Sequence, residues 1–198
     1  MSSKRRINRI TASVTAFILM LVVVLLFVAG CGIPPWADFH IEPPAPTKIP
    51  LRVGLYLSPA FRSYYHTYQG IPTYPMGGAM SNISERALKA VFQEVVVLDE
   101  KAFDLAKNDV RAVISPEMVA TENTWSVFRI TCKWTIASTD GKILYVNTFT
   151  GDGNDNSFVG NTRIGKAMAN ATKDMFQKFL SHMTSVKWWE DIGDKPMN

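Results

Sequence analysis

Asp152-Gly153-Asn154-Asp155-Asn156 is a run of oxygen ligands at alternate positions, the way a calcium-binding loop begins. The spacing then departs from that loop. Ser157 stands where the sharp turn needs Gly, and Arg163 stands where the bidentate Glu belongs. The run therefore reads as a polar turn between a strand and a helix. Its two carboxylates, Asp152 and Asp155, have the residue types of an acid–base pair for glycoside cleavage. Cys132 alternates with polar neighbours on the apolar side of a strand, where a free thiol packs as inert core. His40, His66 and His182 are scattered, with no metal-binding spacing and no cysteine partner. There is no Gly-x-Ser-x-Gly elbow, and Gly77-Gly78 alone does not make a phosphate cradle. The expectation is no metal, no cofactor and no catalytic residue. The alternative is a glycan-directed hydrolase using Asp152 and Asp155.

Contact chemistry is richer. Tyr64, Tyr65, Tyr68 and Tyr74 lie in a stretch from Ala60 to Met80 that Gly70, Pro72, Pro75, Gly77 and Gly78 interrupt. Tyrosines give stiff, amphipathic contact area suited to a protein or a sugar partner, and a long loop of this kind is often functional. The other reading folds them back onto the core. Trp188-Trp189 has the same two readings, partner contact or core cap.

The thiol that matters most is Cys31. Lys4, Arg5, Arg6 and Arg9 precede an apolar run from Ala16 to Val28, and Ala29-Gly30-Cys31 follows it. A basic segment, an apolar segment and small residues make a signal peptide. Val28 to Cys31 resembles a bacterial lipobox. That resemblance implies removal of residues 1–30, with a covalent diacylglycerol and an N-acyl lipid on Cys31. Gly32, rather than Asp, follows the cysteine, which implies sorting to the periplasmic face of the outer membrane. The other reading of Ile10 to Ala29 is an uncleaved anchor, since about 20 apolar residues span a bilayer.

Processing changes the charge. The chain has 21 Lys+Arg and 17 Asp+Glu, and the four basic residues of the leader are the whole excess. A neutral mature chain gives no argument for nucleic-acid binding. With Cys31 acylated only Cys132 remains, so the domain must rest on its core.

The elements follow from periodicity. Residues 31–50 form a proline-rich segment with Pro34, Pro35, Pro43, Pro44, Pro46 and Pro50. It is either an extended tether or a strap packed through Trp36, Phe39 and Ile41. Residues 51–184 form one domain, and 185–198 a tail. Leu51 to Leu57 alternates as a strand. Asn82-Ile83-Ser84-Glu85 resembles a capping box opening a helix to about Glu94. Val95 to Leu98 and Val110 to Ile114 are short strands, the second closed by Ser115-Pro116. Lys101 to Lys107 is a helical segment or turn. Ser126 to Ala137 is a half-buried strand, joined by the turn Thr139-Asp140-Gly141-Lys142 to a return strand, Ile143 to Thr150. Gly151 to Asn161 is a loop, and a helix runs from Thr162 to His182 with Ala167, Met168, Ala171, Met175, Phe176 and Phe179 on its buried stripe. The expected fold is α+β, a two-layer sandwich. Its two main helices pack on one face of a mostly antiparallel four- to five-stranded sheet.

This order, behind a lipobox, resembles small bacterial envelope lipoproteins. These include the lipopolysaccharide-assembly lipoprotein and the curli and exopolysaccharide secretion lipoproteins. The resemblance implies a membrane-anchored, non-enzymatic assembly role with an envelope protein or polysaccharide as partner, and allows a ring-forming homo-oligomer. It assigns no site residue.

Overall fold

The computed structural model describes residues 37–44, 47–68, 71–98, 109–124, 127–154 and 160–193. The chain divides into two compact units, Met1–Pro34 and Pro35–Asn198, and the described residues belong to the second. In order they form β1 (Ile49–Tyr56), α1 (Pro59–Arg62), β2 (Tyr65–Tyr68), β3 (Ile71–Pro75), α2 (Gly77–Val91), β4 (Phe92–Leu98), β5 (Ala112–Thr124), β6 (Val127–Ser138), β7 (Ile143–Asn154), α3 (Gly160–Ser185) and α4 (Glu190–Gly193).

The main sheet has the order β4-β1-β5-β6-β7, and β2-β3 is a separate hairpin. The fold is α+β, but the sheet is mixed rather than mostly antiparallel. β1 runs parallel to both β4 and β5, while β5, β6 and β7 form an antiparallel meander. The physical reason lies in the connections. β1 reaches β4 through a helix, and such a crossover returns the chain in the same direction. β6 reaches β7 through a tight turn at Asp140-Gly141, with Gly141 at φ 87°, and a tight turn reverses it.

One core lies between the sheet and the helices α2 and α3. Trp134 is its centre, stacked on Phe179 at 3.9 Å between ring centroids and meeting Phe176 edge-on at 5.6 Å. Val53, Leu55, Ile114, Phe128, Ile130 and Ile136 complete the sheet side. On the opposite face the parallel half is buried only in part, at Gly54, Leu98 and Val113, while Arg52 and Glu94 reach solvent. Gly54 there leaves room for Leu98 and Val110, and a Cβ on it would meet the Leu98 side chain at 2.6 Å. The antiparallel half of that face is polar and open.

Several boundaries differ from the periodicity, each for a tertiary reason. β5 continues through Ser115-Pro116 to Thr124. Its pairing with β1 ends at Leu55↔Ile114, so Pro116 sits where β5 has an unpaired side and its missing N–H breaks no ladder bond. α2 begins at Gly77, five residues before the expected cap at Asn82. Its first donors find a carbonyl instead of a side chain: the N–H groups of Met76 and Gly77 both donate to Tyr64 O at 3.0 Å. A Cβ at Gly77 would lie 2.2 Å from Arg62 O, so this entry needs glycine. The stretch from Ala60 to Met80 is not a loop. It holds α1, capped by Ser58 Oγ accepting from Phe61 N–H at 3.1 Å, then the hairpin and the start of α2. The expected helix Lys101 to Lys107 lies outside the described residues.

The proline-rich segment packs as a strap where it is described. Ala37 and Ile41 are buried in the core cluster. Arg86 of α2 donates from Nη2 to Ala37 O at 2.7 Å.

β7 extends to Asn154, through what reads as a glycine loop. Gly151 and Gly153 face α3 so closely that a Cβ would lie 2.0 Å from Ala171 O and 1.8 Å from Ala167 O. Three α3 side chains reach past the core to the outer side of this strand. Asn170 Nδ2 donates to Asn154 O at 3.1 Å, Asp174 Oδ2 accepts from Asp152 N–H at 3.0 Å, and Lys178 Nζ donates to Thr150 O at 3.0 Å. Their spacing of four residues puts them on one helix stripe.

Candidate functional site

Asp152 lies on the open sheet face, opposite Arg129 of β6. Arg129 Nε donates to its Oδ1 at 2.7 Å, and Arg129 Nη1 reaches Glu122 at 3.6 Å. Asp152 is thus a member of an exposed ion-paired row that continues with Lys133–Glu117. Asp155, its proposed partner in hydrolysis, lies outside the described residues. Among the described residues no group of three His, Cys, Asp or Glu side chains is placed to hold a metal ion.

Cys132 is buried, and burial pushes its thiol well above the ordinary range. It is a packed hydrophobe in the core cluster. His40 is exposed. His182 Nδ1 lies 3.0 Å from Tyr145 Oη, and burial pushes the Tyr145 phenol up to about 12.

His66 is the polar group that sequence reasoning left unused. It is 2% exposed, stacked on Tyr74 at 6.1 Å and edge-on to Phe128 at 5.0 Å. Its Nδ1 lies 2.8 Å from Thr121 Oγ1, which also bonds Tyr64 Oη at 3.0 Å. Thr121 reaches this side because β5 bulges between Met118 and Ala120. The extra residue reverses the alternation, so Thr121 and Asn123 share the side of Phe128 and Ile130. The Tyr64–Thr121–His66 chain pins the hairpin to the sheet. His66 Nε2 is buried with no hydrogen-bond partner among the described residues.

Burial lowers the His66 pKa from its ordinary value of 6.5. The folded state therefore prefers the neutral ring, and the unfolded state takes a proton first as pH falls. The stability that depends on neutral His66 is complete above about 6.5, the unfolded value. It declines on acidification until pH passes the lowered folded value. Urea unfolding at steps from pH 7.5 downward checks this. His66→Phe should remove that part of the slope while lowering stability at pH 7.5 through loss of the Thr121 bond.

The four tyrosines divide. Tyr64 and Tyr74 are half-buried and engaged as above, and Tyr65 is 51% exposed. Tyr68 is in β2, with its side chain outside the described residues. Trp188 is 3% exposed and packs on Phe92 at 6.0 Å, so it caps the core. Trp189 is half-buried. It lines a largely apolar cavity of about 230 Å³ with Pro44, Ile49, Val91 and Thr184, where the strap passes the helix ends. Cys31 lies outside the described residues, as do the leader and the anchor reading of Ile10 to Ala29. No helix among the described residues is long and apolar enough to cross a membrane.

No protein-family model matches the sequence, and no curated protein matches it. A solved structure shares the fold. The chain is similar to protein XCC0632 from Xanthomonas campestris, of the DUF330 family, with a TM-score of 0.58 and 10% identity over 78% of this chain and 95% of that one. PelC from Paraburkholderia phytofirmans, solved as a dodecamer, gives a TM-score of 0.47 and 16% identity over 71% and 91%. A minor lipoprotein from Acinetobacter baumannii gives 0.40 and 12% over 69% and 94%. At these identities the likeness to XCC0632 speaks for the fold alone.

Proposed function

We propose that this chain is a non-enzymatic, lipid-anchored component of a bacterial cell envelope, held on the periplasmic face of the outer membrane, that binds an envelope protein or polysaccharide. The observation that carries the reading is Ala29-Gly30-Cys31 directly behind a basic and then an apolar segment. The state of the reactive side chains supports it. The Cys132 thiol is buried, and Asp152 is tied to Arg129.

Tyr65 is the contact residue that best fits a partner, because it is exposed on a hairpin that Tyr64 and His66 hold to the sheet through Thr121. Crosslinking in intact cells, with mass spectrometry of the attached species, tests this. Tyr65→Ala should weaken capture several-fold with stability unchanged within about 0.5 kcal/mol. Tyr64→Phe removes the Thr121 bond and should lower stability by about 1 kcal/mol. Unchanged capture by the Tyr65→Ala protein overturns the assignment of this hairpin.

A further inference from the structure

Resting on the reading of Tyr65 as a contact residue, we propose that His66 is an acid-released latch: taking up a proton undocks the hairpin β2–β3 from the sheet and so switches off capture at Tyr65. The hairpin is a separate two-stranded sheet. Among the described residues no backbone hydrogen bond ties Tyr65–Pro75 to the main sheet. Side chains must therefore hold it there. Of its described side chains, Tyr65, Thr67 and Pro75 are exposed and Tyr74 is half-buried, so His66 is the one that enters the domain fully. The hairpin hangs on a titratable group.

The seat of that group suits a neutral ring. A neutral imidazole has one donor and one acceptor nitrogen, and a charged one has two donors. Nδ1 has the Thr121 hydroxyl at 2.8 Å, but a proton on Nε2 finds no acceptor among the described residues. A buried charge without a partner is costly. The groups that face the ring are Tyr64 and Tyr74 from the hairpin and its entry, Thr121 of β5 and Phe128 of β6, and none is a carboxylate. From Tyr65 to Pro75 the sequence holds no Asp, Glu, Lys or Arg. The charged neighbours along β5 and β6, Glu122 and Arg129, pair with each other on the open face instead. Undocking gives both ring nitrogens water. Docking is thus most favoured above about 6.5, the value of a ring in water, and weakens on acidification until pH passes the docked ring's lower value. The opening is local, because the base of the hairpin is held separately: Tyr64 O accepts from the N–H groups of Met76 and Gly77 at the start of α2. An undocked hairpin no longer presents Tyr65 in one place, and ordering it again on binding lowers affinity.

Fluorine NMR on the full chain in detergent micelles, with 3-fluorotyrosine at its six tyrosines, tests the latch without a partner. The exposure of each ring is read as its shift between H2O and D2O, at steps from pH 7.5 to pH 5.0. The isotope shifts of Tyr64 and Tyr74 should rise several-fold with one midpoint below about 6.5. Tyr56, in β1, should keep its value. His66→Phe should leave Tyr64 and Tyr74 covered at pH 5.0. Thr121→Val keeps the ring, removes its hydrogen bond, and should move the midpoint upward. Tyr64 and Tyr74 still covered in the unaltered chain at pH 5.0 overturn the latch. Tyr56 opening with them overturns it as well, because the acid change is then global. Capture by crosslinking is then compared at the two ends of the pH range. The unaltered chain should lose capture several-fold in acid, and His66→Phe should retain it. An open hairpin with capture unchanged overturns the switch. Unchanged capture by Tyr65→Ala overturns the contact reading and the switch with it, while the undocking itself stands or falls on the fluorine signals alone.

Discussion

Gly153→Ala is expected to destabilise the domain by about 3 kcal/mol, the upper end of ordinary overpacking. The added methyl would sit 1.8 Å from Ala167 O and 2.4 Å from the Ala171 nitrogen. These are helix backbone atoms, not the ends of flexible side chains, so α3 itself must lift. The same helix carries Phe176 and Phe179 onto Trp134, so lifting it loosens the centre of the core. For a domain of this size the melting temperature should fall by roughly 6–12 °C. Gly151→Ala strikes Ala171 O and the Met175 nitrogen. The two substitutions share the Ala171 turn and should not add. Gly78→Ala is the control. A Cβ there meets nothing within 4 Å, and alanine favours a helix over glycine by about 1 kcal/mol. Calorimetry on the three variants decides the matter. A drop of less than about 2 °C for Gly153→Ala would mean that the helix seat is softer than the backbone contacts imply.

The second large effect is on location. Cys31→Ser should abolish lipid labelling and release the protein from the membrane fraction. A hydroxyl cannot take the sulfur's place in the thioether, and two or more acyl chains are what make such attachment durable. The folded domain should be unchanged, because none of its described elements includes residue 31. Metabolic labelling with a fatty-acid analogue and fractionation of the cells read both quantities. Label retained on the serine protein would refute the lipobox.

Alternation and helical spacing made the central frame legible. Phe128, Ile130, Cys132, Trp134 and Ile136 all face the core as their period of two requires, and Ala167 to Phe179 form the buried stripe of α3. The parallel pairing of β1 was not legible, because strand direction depends on which neighbour a strand finds. Pro116 reads as a stop unless it is known that β5 has lost β1 by that point. Gly151 and Gly153 read as a loop, since nothing local distinguishes a flexible glycine from one over which a helix passes. The His66–Thr121 contact depends on a bulge between Met118 and Ala120, and a single displaced residue leaves no periodic trace. Of the site residues, Tyr65 and Trp188 show both alternatives for surface aromatics within one chain. The first is exposed, and the second is part of the core.

The three α3 side chains on the rim of β7 bear on how this protein survives in its place. An outermost strand offers bare amides and carbonyls to any other chain, and such edges seed aggregation. The lipid anchor proposed at Cys31 would confine molecules to two dimensions and raise the local concentration at which those edges meet, as any linkage does. Asn170, Asp174 and Lys178 occupy Asn154 O, Asp152 N–H and Thr150 O, one outward group of each residue, so a passing strand would meet an interrupted ladder on this part of the rim. The helix that completes the core thus also hinders growth of the sheet there.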